Sequence, residues 1–218
     1  HTYSLIHDDL PCMDDDEMRR GRPSNHIRFG EDIALLAGDA LQALAFETLL
    51  RGVTPENAHC RAKAGAYLAN ACGAAGMVGG QVIDLQSEDK EAPIGVLKIM
   101  DGKKTGALIR AACVMGCICA EADDRLCAAA EAYAESIGLA FQIMDDILDV
   151  TADSETLGKP VGSDGENKKS TYVSLLGIDK CKALVEELTE KAVSALEAFP
   201  NDAEELRELA LQLAQRDR

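Results

Sequence analysis

The chain has 218 residues, of which 47% are hydrophobic and 28% charged, with a formal net charge of −16. That length and apolar content suit a single globular domain and exclude a disordered chain. The acidic balance argues against a nucleic-acid partner, because phosphate backbones are held by basic faces. No unbroken apolar run reaches the roughly 18–20 residues of a membrane span, and no signal-peptide pattern is visible.

Read in chain order, the sequence predicts helices and no convincing strands. The first notable stretch is "SLIHDDLPCMDDDEMRRGRP" at 4–23, where five aspartates and a glutamate fall within ten positions before the chain turns basic. Asp8 and Asp14 are six residues apart, about 240° around an ideal helix. They converge only if the helix is interrupted, and Pro11 lies between them to interrupt it. Apolar residues at helical spacing predict helices at 32–51, 56–86, 93–101, 104–121, 123–150, 179–199 and 202–216, with Thr54-Pro55 and Asn201-Asp202 as two of the starts. One long irregular segment, residues 151–170, is rich in Gly, Asp, Ser and Lys. A loop of that length inside a helical domain is a functional candidate. No internal repeat and no second domain are visible, so the fold class expected is all-α.

The eight cysteines read as packing. Cys72, Cys113, Cys117 and Cys119 sit among Ala, Gly and Val, where a free thiol behaves as a small hydrophobe. Paired Cys-x-x-Cys units or neighbouring histidines, which zinc would want, are absent from the sequence. A reducing, cytoplasmic setting is the expectation. His7, His26 and His59 are expected to be structural.

A second acidic cluster, "FQIMDDILDV", occupies 141–150. On a helix Asp145 and Asp149 lie about 40° apart on one face, while Ile147 and Leu148 face the packing. Taken alone, this is also what a solvated amphipathic face looks like. Two such clusters on apolar helices are costly unless something neutralises them, since like charges disfavour ionisation. Carboxylates without Cys or His point to Mg²⁺. Magnesium prefers a few carboxylates, waters and a substrate's phosphate oxygens, so a phosphorylated ligand is expected. Cations for its remaining oxygens stand at Arg19-Arg20, Lys103-Lys104-Thr105, Lys159 and Lys168-Lys169.

The stretches "DDLPCMDDDEMRRGRP", "GGQVIDL", "KTGALIRAA", "FQIMDDILD" and "LGKPVGSDGENKKSTY" resemble, in order and spacing, those of the trans-isoprenyl diphosphate synthases. The likeness is closest to the bacterial farnesyl type and its short-chain geranylgeranyl relatives, and it runs to the "LAQRDR" ending. The resemblance implies the isoprenoid synthase fold, a helical bundle around a deep central cavity, and three Mg²⁺ bound with an allylic diphosphate. Asp8, Asp9 and Asp14 match the first aspartate motif, in its longer form, and Asp145, Asp146 and Asp149 match the second. Asp8, Asp14 and Asp145 match direct ligands. Arg19, Lys104 and Lys159 match positions that bind the allylic diphosphate, and Arg20 and His1 match positions for isopentenyl diphosphate. Lys168 matches a lysine of a lid formed by 151–170. Thr105 and Gln142, with Lys104, match the groups that steady the carbocation and the proton loss.

The implied reaction is a head-to-tail (1′-4) condensation of isopentenyl diphosphate with dimethylallyl or geranyl diphosphate in a cytoplasmic homodimer. Tyr3, five residues before Asp8, matches the position that floors the elongation tunnel. Its aromatic ring favours a C15 product, farnesyl diphosphate, with C20 as the alternative. The family pattern has a further 70–80 residues ahead of His1, so the chain is expected to be N-terminally incomplete. Four rivals fit less well, among them a purely structural helical module with acidic faces, which needs no phosphate-binding lysines on a long loop. A class I terpene cyclase has an Asn/Asp-Ser/Thr-Glu second motif, and head-to-head synthases lack the "KTGAL" and "LGKPVG" stretches. A non-catalytic subunit of a heteromeric synthase would be expected to lose aspartates.

Overall fold

The computed structural model describes residues 1–88, 90–151, 170–201 and 203–216. Lys159 and Lys168, and the expected lid at 151–170 apart from its two ends, lie outside the described residues. The fold is all-α, as expected, and the described residues fall into two compact units, 1–65 and 66–151 with 170–216.

The first unit opens with α1 (Thr2–Asp8), followed by a two-stranded hairpin of β1 (Met18–Arg19) and β2 (Arg22–Pro23). The alternation that would predict a strand is absent from so short a hairpin. Arg19 pairs with Arg22, and the two residues between, Arg20 at φ 54° and Gly21 at φ 72°, are both left-handed. That is the shape of a type I′ turn, which matches the right-handed twist of the flanking strands. Next come the short α2 (Asn25–Phe29) and the long α3 (Glu31–Leu50). Ile6 and Leu10 bury themselves against Ala34 of α3, with Met13 and Leu41 at the margin. His7 adds a polar tie, its Nε2 2.9 Å from the Leu35 carbonyl, and its ring leaves no room for a Cβ at Gly38.

Most of α3 is open. Ile33, Leu36, Leu44 and Leu50 are all exposed. Among the described residues it is the one helix long and apolar enough to cross a membrane by length and composition, with a mean hydropathy of 1.5. A search for an unbroken apolar run misses it, because Asp39 divides the helix. The core helix of a soluble protein can have the same composition.

The α4 helix (Ala58–Cys72) begins three residues after Pro55, and the single helix expected at 56–86 is in fact two. The break falls at Gly73–Gly76, where a Cβ on Gly76 would lie 2.0 Å from the Ala71 carbonyl oxygen. Continuous Ala-rich periodicity hides such a corner.

The second unit continues with α5 (Met77–Ser87), α6 (Ile94–Lys104), α7 (Gly106–Cys119) and α8 (Asp124–Thr151), close to the expected limits. After the segment outside the described residues come α9 (Tyr172–Leu176), α10 (Ile178–Ala195), a 3₁₀ turn (Leu196–Ala198) and α11 (Glu204–Gln215). The core of this unit is α8 against α10 and α11, where Tyr133, Ile137, Ala192, Leu196 and Ala210 pack together. Tyr133 is 1% exposed and donates its hydroxyl proton to the Leu206 carbonyl at 2.7 Å. All eight cysteines are free, and burial pushes the thiols of Cys113, Cys117 and Cys181 up, which keeps them protonated.

Candidate active site

Pro11 ends α1 in the way the spacing requires. The helix stops at Asp8, and the chain then turns back so that the Asp14 N–H donates to the Asp8 carbonyl at 2.9 Å. Two residues that an unbroken helix would set on different faces become backbone neighbours. Their side chains are half-buried.

Asp9 is placed differently. It is 2% exposed, and its Oδ1 accepts from Arg19 Nε at 2.9 Å and also from Arg19 Nη2. Arg19 reaches Asp16 at 3.3 Å as well. Burial works against the Arg19 charge, but the hydrogen bond to Asp9 and the charges of Asp9, Asp16 and Asp8 outweigh it and raise the pKa. The hairpin therefore pins its first arginine to the first acidic cluster. Arg20, in the turn, is exposed, as is His1. Tyr3 is buried in α1, with its ring edge-on to His7 at 6.1 Å between centroids.

In the second unit α8 carries Gln142, Asp145, Asp146 and Asp149 at positions i, i+3, i+4 and i+7, a single helical face. Ile147 and Leu148, on the other side, are buried. Asp145 and Asp146 meet different neighbours. Asp145 is gripped by Arg216 Nη2, while the Arg216 guanidinium stacks 4.0 Å above the Phe141 ring and donates to the Phe141 carbonyl at 3.1 Å. Asp146 Oδ2 accepts from the Tyr172 N–H at 2.6 Å, which fastens the start of α9 to α8. Asp149 is 4% exposed.

Lys103 and Lys104 occupy the last turn of α6, where cations suit the negative end of the helix. Thr105 is the hinge residue, C-cap of α6 and N-cap of α7 at once. Lys104 Nζ is 2.6 Å from Asp84 Oδ2 on α5. A small cavity opens nearby between α6, α7 and α8, with Lys98, Asp101, Arg110 and Glu135 on its wall.

Two side chains here were quoted in the sequence motifs but given no role. Asp84 belongs to "GGQVIDL" and Arg216 to "LAQRDR". Their partners stand 20 and 71 residues away, so no local spacing announces either pair.

The donor set can be tested against magnesium within each motif. Every candidate ligand is a carboxylate oxygen, the hard donor that Mg²⁺ takes. Among the described residues no group of three His, Cys, Asp or Glu side chains is placed to hold a metal alone. Arg216 at Asp145 shows that this carboxylate already faces one positive charge. The residues fit.

Residues 1–210 match the model of the polyprenyl synthetase family. Over 223 aligned residues the chain is 47% identical to farnesyl diphosphate synthase of Escherichia coli, covering all of this chain and 75% of that one. It is 46% identical to the chloroplastic geranylgeranyl pyrophosphate synthase of Catharanthus roseus, covering all of this chain and 61% of that protein. A geranyltransferase structure from Helicobacter pylori, complexed with magnesium and isoprenyl diphosphate, superposes with a TM-score of 0.83 at 34% identity, covering 98% of this chain and 69% of that one. The chain belongs to the polyprenyl synthetase family and is a prenyltransferase.

Proposed function

We propose that this protein condenses isopentenyl diphosphate head-to-tail with dimethylallyl or geranyl diphosphate and releases farnesyl diphosphate and inorganic diphosphate. The observation that carries the reading is the fold-back at Pro11, which makes Asp8 and Asp14 neighbours while Arg19 neutralises Asp9 between them. The identity to the E. coli farnesyl diphosphate synthase supports the C15 product.

Asp8 and Asp14 in the first unit would hold Mg²⁺, as would Asp145, Asp146 and Asp149 in the second, with three ions expected in the presence of substrate. Bound there, the metal would neutralise charge growing on the departing diphosphate. Lys104 would add a point charge on the same oxygens. Arg19 and Arg20, on their hairpin, would bind diphosphate oxygens, and His1 would assist with isopentenyl diphosphate. Thr105 and Gln142 carry polar groups that would orient toward the allylic cation. The apolar faces of the helices would keep water from that cation. The double bond of isopentenyl diphosphate attacks it, and the departed diphosphate takes the final proton, so no strong protein base is required.

A cytoplasmic homodimer belongs to the same reading. It is supported by the free thiols and by the exposed apolar side chains of α3, which a second copy would cover.

A C20 product is the second reading, favoured by the nearly equal identity to the plant geranylgeranyl enzyme. Tyr3 separates the two. The test is to express the complete reading frame, supply dimethylallyl and isopentenyl diphosphates with Mg²⁺, and size the dephosphorylated alcohols by mass spectrometry. A dominant C15 alcohol that lengthens in Tyr3→Ala is expected. A dominant C20 alcohol from the wild type refutes the Tyr3 floor, and no prenyl product refutes the reaction.

A further inference from the structure

Asp84 has no part in the chemistry above, yet it is 7% exposed and sits one turn after Gly80 on α5. A buried carboxylate is costly unless it is paired, and one partner here is Lys104, at 2.6 Å. The same helix touches the same lysine a second time. A Cβ on Gly80 would lie 2.1 Å from the Lys104 amide nitrogen and 2.5 Å from its Cα. Glycine thus lets the α5 backbone press against the Lys104 main chain, while Asp84 holds the far end of its side chain. Lys103 adds a third tie, donating from Nζ to the Ala75 carbonyl at 3.0 Å.

A free lysine side chain samples many rotamers, and fixing one costs conformational entropy. A cation that must meet an anion at one place gains when that cost is met before the ligand arrives. The Lys104 side chain remains 22% exposed, so its ammonium is anchored without being sealed off. There is an opposing effect, because the Asp84 charge partly cancels the lysine's field at a bound anion. The two effects have opposite signs, so experiment can separate them.

We propose that Asp84 is a positioning residue that holds the Lys104 ammonium in place for the substrate diphosphate, with Gly80 as the notch that lets α5 reach it. This rests on the reading of Lys104 as a diphosphate ligand.

The test is a double-mutant cycle of Asp84→Asn and Lys104→Met in the full-length protein. Inorganic diphosphate is titrated calorimetrically at saturating Mg²⁺, the Michaelis constants of both substrates are measured, and thermal melts confirm folding. Asp84→Asn is expected to weaken diphosphate binding about tenfold and to raise the Michaelis constant of the allylic substrate, while that of isopentenyl diphosphate stays within about twofold. In the Lys104→Met background it should add nothing. If Asp84→Asn tightens binding or leaves it unchanged, field cancellation prevails and the proposal fails. It also fails if Asp84→Asn has its full effect without Lys104. If Lys104→Met alone binds like the wild type, the reading of Lys104 itself falls, and the proposal with it. Should Asp84→Asn not fold, Asp84→Ser, which leaves room for water, carries the same cycle.

Discussion

At the scale of single residues, Asp145 already has a cation on it before any metal arrives. Arg216 grips it from the end of α11 and is itself braced on the Phe141 ring and carbonyl. On the proposed reading, metal and guanidinium would compete for the same oxygens. The Asp145 side chain is 40% exposed, so solvent screens the pair and its worth is on the order of 1 kcal/mol. Arg216→Gln should therefore tighten Mn²⁺ binding to the metal-free protein about fivefold, read by paramagnetic resonance titration. Weaker binding in that variant would mean that Arg216 shapes the carboxylate for the ion rather than competing with it. Neither residue reveals this in the sequence. The "DDILD" cluster is legible as a cluster, but the identity of its resting partner depends on a contact 71 residues along the chain.

At the scale of elements, α11 is fastened to α8 through the Tyr133 hydroxyl. Burial pushes the Tyr133 pKa up to about 12, with a smaller contribution from Cys113. In the unfolded chain the group titrates near 10. The folded state therefore keeps a proton that the unfolded state has released, and the resulting stabilisation is fully present below about pH 10 and fades as pH rises toward about 12. Tyr172, raised by burial and by the carboxylates of Asp101 and Asp146, acts in the same direction. Tyr133→Phe should cost about 1 kcal/mol at neutral pH through the lost hydrogen bond and should flatten part of the alkaline decline. Urea melts at pH 8 and pH 11 check both. An unchanged alkaline slope would assign the decline to other groups. Helix identities were legible from apolar periodicity, whereas the corner at Gly73–Gly76 and the hairpin at Arg19–Arg22 were not. Both are backbone events set by one or two residues, below the resolution of a pattern that needs several turns.

At the scale of the whole molecule, a formal charge of −16 includes two carboxylate clusters, which on the proposed reading would gain when divalent cations bind. If Mg²⁺ and diphosphate complete each other's coordination, neither ligand alone should stabilise the fold much. Both together at about a hundred times their dissociation constant should add about 2.7 kcal/mol. For a chain of this size that is a rise in melting temperature of about 5–10 °C. Differential scanning fluorimetry with each ligand alone and with the pair measures it. An equal shift from either ligand alone would contradict joint binding.

Composition and spacing by themselves determined the fold class, the two acidic motifs and the break between Asp8 and Asp14, and they supply the hard oxygen donors on which the metal reading rests. Each of these follows from periodicity, from a proline's missing N–H or from the type of donor atom, and all of those are local. Only the tertiary structure decided which aspartates carry which neighbours. It paired Asp9 with Arg19, Asp145 with Arg216, Asp146 with the start of α9 and Asp84 with Lys104. A carboxylate's role depends on the charge packed against it, and that charge comes from whichever distant element the core packing brings alongside.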